Sequence, residues 1–221
     1  MSRPRARAAA RVLHVGIGAA RRTGIPRSAP YAAVMAEPTG VPETFARAVA
    51  SLRSVRVRNE ILLEEIPPPQ RLAPYSFALG ASVLRGDDDV ATGRLVLLHD
   101  PAGQDAWDGT LRIVTFVTAE LEPEMAGDPM LAPVGWSWLV DALTGHGARY
   151  TAAGGTVTQT TSTRFGDLAG PPDTSDVELR ASWTPLDDQL APHLEAWCTL
   201  LASTAGLPPP GITVLAASRR S

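Results

Sequence analysis

The sequence predicts an α+β protein, an antiparallel meander sheet of about six strands with three helices, in the order helix, four strands, helix, two strands, helix. Three observations predict it. Apolar residues recur at helical spacing in three separated stretches. Between them lie runs rich in β-branched residues, joined by Gly, Asp and Pro turns too short for a parallel crossover. A hydrophobic share of 44% in 221 residues is enough to fill the core such a sheet needs.

The first helix opens at Pro42-Glu43, residues suited to a first turn, and presents Phe45, Val49 and Leu52. Strands are expected at Ile61–Ile66, Tyr75–Leu84, Val90–His99 and Leu111–Leu121. The turn Arg85-Gly86-Asp87-Asp88-Asp89 joins the second to the third, and Asp100-Pro101-Ala102-Gly103 the third to the fourth. A second helix is expected over Val134–Thr144, with Trp136, Leu139, Val140 and Leu143 as its stripe and Gly145 and Gly147 ending it. Strands at Thr156–Phe165 and Val177–Trp183 flank the loop Gly166–Asp176. The last helix shows Leu190, Leu194, Trp197, Cys198 and Leu201 on one face and stops at Gly206, before Pro208-Pro209-Pro210-Gly211.

Domain organisation follows from the same pass. Residues 39–214 read as one α+β domain and 215–221 as a disordered tail. Residues 1–38 lack an apolar period and are broken by four prolines. They read as a disordered basic arm or as a mis-called extension, with Met35 the true start. Residues 1–40 hold seven arginines and one acid, a net +6; residues 41–221 hold 13 arginines and 22 acids, a net −9. Arginines without interleaved aromatics do not make nucleic acid the expected partner.

Composition excludes several chemistries. The chain has no lysine, so it has neither a Schiff-base amine nor a P-loop lysine. Cys198 is its one cysteine, which rules out an internal disulfide and a zinc ribbon. No apolar run is long enough for a membrane span, and Thr23-Gly24-Ile25-Pro26 after Arg21-Arg22 is no export signal. These features point to a cytoplasmic protein with no membrane partner, no cofactor and no metal.

Two strands break the pattern of a sheet covered on one face. Val90–His99 offers Leu95 and Leu97 to one side and Val96 and Leu98 to the other. Leu111–Leu121 offers Leu111, Ile113 and Val117 to one side and Val114 and Phe116 to the other. Helices can cover one face; the other calls for sheet curvature around one core, a ligand cavity or a partner subunit. Thr156–Phe165, rich in threonine, reads as an edge strand or one facing water.

Few residues could carry chemistry. His99-Asp100 could pair a general base with a carboxylate, but neighbours on a strand point to opposite faces. Glu120, Glu122 and Glu124 share strand spacing but are interrupted by Pro123, so they read as a solvated rim. His14, His99, His146 and His193 lack ligand spacing, and His193 reads as structural. Arg94, Arg112, Arg164 and Arg180 lie on expected strands, to pair with Glu64, Glu120 or Glu178 or to bind an anion. In Trp136-Ser137-Trp138, Trp138 lies about 200° from Trp136 around the helix, so it is buried by a second layer or exposed as a contact residue.

Several runs resemble one family: Glu64-Glu65-Ile66-Pro67-Pro68-Pro69-Gln70-Arg71-Leu72-Ala73-Pro74, Gly93-Arg94-Leu95-Val96-Leu97-Leu98-His99-Asp100-Pro101, Glu120-Leu121-Glu122-Pro123-Glu124-Met125, Gly135-Trp136-Ser137-Trp138-Leu139, Arg180-Ala181-Ser182-Trp183-Thr184-Pro185 and Gly206-Leu207-Pro208-Pro209-Pro210-Gly211. Over about residues 36–214 the chain resembles an actinobacterial family of unknown function, number 3000. The resemblance implies lineage and a shared fold, and assigns no activity or catalytic residue.

The expected function is therefore a non-enzymatic binding or protein-interaction module, acting on a protein partner or on its own copy through an apolar sheet face. The alternative is an enzyme or small-ligand binder with a site near His99, Arg112 and Trp138. These three are the candidate interaction or ligand residues; no catalytic, cofactor or metal residue is assigned.

Overall fold

A computed structural model describes residues 40–86, 88–122 and 125–209. All of these fall within one compact unit, Pro38–Ser221. The arm expected at 1–38 and the tail at 215–221 lie outside the described residues.

Helix α1 (Glu43–Arg53) leads into strands β1 (Ile61–Glu65), β2 (Tyr75–Arg85), β3 (Asp88–Gln104) and β4 (Gly109–Glu120). Helix α2 (Leu131–Gly145), strands β5 (Tyr150–Ser162) and β6 (Thr174–Pro185), and helix α3 (Ala191–Thr204) complete the chain. The α+β class and the element order are those the sequence predicts. All strands pair antiparallel in one sheet, ordered β1-β2-β3-β4-β6-β5. After α2 the chain lays β5 at the far edge, then turns back to insert β6 beside β4.

The main core forms between the helices and one face of the sheet. Leu95 and Leu97 of β3, Ile113 and Val117 of β4, and Leu179 and Trp183 of β6 meet Leu52, Leu139, Leu143, Leu194, Trp197 and Leu201 from the helices. Helix α3 lies directly on the sheet at Gly93, where a Cβ would stand 2.8 Å from the Trp197 ring and 3.0 Å from Leu201. The glycine leaves room for the helix, which explains its place inside a strand. Fully burying a side chain of the Leu or Phe class contributes roughly 1.5–3 kcal/mol, so this layer carries the fold.

The structure moves three boundaries. The expected turn at Asp100–Gly103 is instead the irregular end of β3. Pairing with β4 lapses between His99 and Gln104, so Pro101 sits where no ladder N–H is needed. The chain reverses later, through a 3-10 turn at Asp105–Trp107 and the left-handed Asp108. Helix α2 begins three residues before Val134; Pro133 falls in its first turn, where the missing N–H has no partner to lose. Strand β5 begins at Tyr150 rather than Thr156, because Gly154 and Gly155 lie inside it, beyond a register shift at Thr151–Gly154.

The stripe of α2 is also rotated from the expected one. Leu131, Gly135, Leu139, Ala142 and Leu143 are buried, whereas Trp136 and Trp138 are both half-buried. The two tryptophans are some 160–200° apart, and the stripe runs between them. Helix α2 packs against both α3 and β5, so leucines and the small Gly135 and Ala142 line its centre and each indole sits at one flank.

Candidate functional site

The helices leave the other face of the sheet free. On β2 and β3, Ala78, Val96 and Leu98 form a small second cluster there, against which Ile66, Ala73 and Trp107 pack. The chain thus covers part of its own second face with the proline-rich segment after β1. That cover stops short of the centre.

At the centre, one cross-strand row runs through four strands. Arg94 of β3 opposes Phe116 of β4, Phe116 opposes Arg180 of β6, and Arg180 opposes Thr156 of β5. Directly opposed residues share a face, so both arginine side chains rise on the same face as the phenyl ring. The Arg180 guanidinium lies over that ring, 5.2 Å from its centroid. Beside the row lie Val114, 38% exposed, and Val96. With Gly154, Gly155 and Ser182 these residues line a shallow concavity of about 350 Å³. At its rim Gly154 puts no side chain into the opening.

Charge on this face is mixed: Arg94, Arg112 and Arg180 share it with Glu64, Glu120, Asp176 and Glu178. Arg180 Nε donates to Glu178 Oε1 at 2.5 Å, which holds the Glu178 carboxyl below the usual carboxylate range. This is a pair along one strand, not across the sheet as expected. Glu64 approaches the row at Gly80. Arg94 is exposed, and among the described residues no ion pair engages it. Arg112 lies on the same face; its Nη1 donates to Ala152 O at 2.9 Å and Thr184 Oγ1 at 3.0 Å, and its Nη2 to Ser182 Oγ at 2.7 Å. All three acceptors are neutral, and burial lowers the Arg112 pKa.

The family model described as Protein of unknown function (DUF3000) matches residues 41–213. The chain belongs to this family. No curated protein and no solved structure matches it.

In this DUF3000 domain the three candidate residues lie apart. His99 is 3% exposed on the helix-bearing face, where its Nδ1 lies 2.9 Å from Thr110 O and its ring stacks on Phe45, 6.0 Å between centroids. Tyr75 closes the same aromatic group at 5.9 Å. Arg112 sits on the opposite face of the sheet, and Trp138 packs from α2 onto the main core. Asp100 turns away from His99 to accept from Ala102 N at 3.0 Å and Gln104 Nε2 at 3.1 Å.

Two further titratable groups, His193 and Cys198, are buried in the DUF3000 core. Trp183 Nε1 donates to His193 Nδ1 at 3.0 Å, and burial pushes the His193 pKa down to about 4. Burial pushes the Cys198 thiol up to about 12, so it is not a poised nucleophile. His146 Nε2 meets Thr199 Oγ1 at 2.9 Å. Glu124 and His14 lie outside the described residues; among those described, no group of three or more His, Cys, Asp or Glu is placed to hold a metal. No helix among them is long and apolar enough to cross a membrane.

Phe116 is the residue that sequence reasoning passed over as a site. Arg94 and Arg180 were visible as strand arginines, but the register that sets them either side of Phe116 spans 86 residues of chain between β3 and β6. The only local signal was an aromatic on the wrong face of an alternating strand.

Proposed function

We propose that this DUF3000 protein is a non-enzymatic binding module that receives an acidic, partly apolar segment of a protein partner on the helix-free face of its sheet. The observation that carries the reading is the Arg94–Phe116–Arg180 row, two arginines either side of one aromatic residue at the centre of an uncovered face. Guanidiniums form bidentate pairs with carboxylates, and the ring and Val114 take apolar side chains between those pairs. The rest of the domain argues the same way: residues 41–221 carry a net −9, so the exposed Arg94 guanidinium, which no ion pair among the described residues engages, stands out as a local target for an anionic partner. The shallow, open shape suits an extended segment better than an enclosed small molecule. A cytoplasmic location belongs to this reading, supported by the single buried Cys198, as does actinobacterial origin, supported by a lysine-free chain rich in Ala, Gly, Pro and Arg.

Selection from a displayed random-peptide library on immobilised full-length protein tests it. Enriched peptides should combine Asp or Glu with an aliphatic or aromatic residue, bind more weakly as salt rises, and lose binding at least tenfold to the Arg94→Glu, Arg180→Glu variant. No enrichment, or equal enrichment on the folded double variant, overturns the reading.

A further inference from the structure

We infer that β5 is the edge along which two copies of this chain join, antiparallel, into one continuous sheet. The inference rests on the two edges of the sheet and is independent of what binds its face.

The edges are built differently. At one end, β1 is only five residues long. It carries Glu64 and Glu65, the latter clamped by Arg53 through bonds of 2.6 and 2.8 Å, and Pro67-Pro68-Pro69 follows at once. Shortness, charge and proline are what keep an exposed strand from pairing with another chain. At the other end, β5 runs for 13 residues without one charged residue or proline. It has none of the protections that β1 has.

The irregular part of β5 is confined to its start. The register shift lies between Thr151 and Gly154, with Ala152 at φ 49°, and Arg112 holds the Ala152 carbonyl. From Gly154 to Ser162 the register with β6 is unbroken. The outer backbone groups of Gly155–Ser162 therefore form a straight ladder about 27 Å long, and no described element continues the sheet beyond them.

This strand matches itself. A two-fold axis at Gln159 pairs Thr158 with Thr160 and Thr156 with Ser162 on the helix-free face, and Val157 with Thr161 on the other. Cross-strand threonine pairs are favourable, and no like charges meet across the axis. A foreign strand would find no charged side chain on β5 to select it, whereas a second copy brings the complementary spacing by symmetry. The half-buried Trp136, over Gly155, adds apolar surface beside the junction.

Sedimentation equilibrium of the full chain, from micromolar to several hundred micromolar, reads the outcome together with Gln159→Lys. That side chain is exposed and opposes Val177 of β6, not an acid, so the variant should fold while setting two ammonium groups against each other on the axis. The wild type should sediment as a dimer and the variant as a monomer at the same concentration, a loss of at least tenfold in association. Amide exchange of the wild type provides a second readout: protection across Gly155–Ser162 should grow with concentration. A wild type monomeric throughout, a dimer unaffected by the lysine, or exchange at β5 independent of concentration overturns the inference.

Discussion

Gly155 of β5 lies beneath the indole of Trp136 in α2: a Cβ at this glycine would stand 2.8 Å from the Trp136 ring and would overlap the Arg180 carbonyl oxygen of β6. One missing side chain thus lets a helix and a neighbouring strand approach the same point of the edge strand. Gly135 on the helix is less demanding: a Cβ there would meet Val157 of β5 at 3.5 Å, an ordinary contact.

Gly155→Ala should therefore destabilise the domain by about 1–3 kcal/mol, the range for overpacking a close contact. Denaturant melts would measure it. Adding Trp136→Ala should relieve only part of the loss, because the clash with the Arg180 backbone remains. A neutral Gly155→Ala would mean that β5 shifts freely away from β6.

Trp197→Ala should cost about 3–5 kcal/mol, since the residue is 0% exposed and sits on Gly93 at the centre of the main core. Trp138→Ala should cost less, about 1–2 kcal/mol, because that indole is only half-buried at the flank of α2. Equal losses in urea melts would show that Trp138 is as central as Trp197.

His193 should make stability depend on pH. Its folded pKa is about 4, below the ordinary value of about 6.5. The unfolded chain then binds the extra proton between these values, so stability should fall as pH drops from about 6.5 to about 4 and change no further below, by about 2–3 kcal/mol for this group. His193→Gln cannot titrate, and its side-chain carbonyl can still accept from Trp183. The difference between wild-type and variant melts should show this slope; parallel curves would mean that His193 protonates without cost.

Arg112→Met should loosen the start of β5. The guanidinium ties Ala152, Ser182 and Thr184 together from β4, and the methionine keeps most of the stem while removing all three bonds. A loss of about 1–3 kcal/mol is expected, with faster amide exchange at Tyr150–Gly155. Arg112→Lys should recover less than half of it, since one ammonium cannot span the forked geometry. Full rescue by lysine would show that charge alone matters there.

Element type and order were written locally. Phe45, Val49 and Leu52 announce α1, and Leu190, Leu194, Trp197 and Leu201 announce α3, because one face of a helix is set by spacing within a few turns. The two-faced pattern of β3 and β4 was equally visible, since alternation along a strand is a property of neighbours in sequence. What lay between elements was not. The insertion of β6 between β4 and β5 decided which residues face one another, so the Arg94–Phe116–Arg180 row exists only once three distant strands are in register. The same assembly placed His99 and Arg112 on opposite faces and turned Gly155 from an apparent turn residue into a point of close approach. Periodicity is a short-range property of the chain, whereas register and coverage are settled by packing between segments scores of residues apart, where loop closure adds little cost and buried area decides.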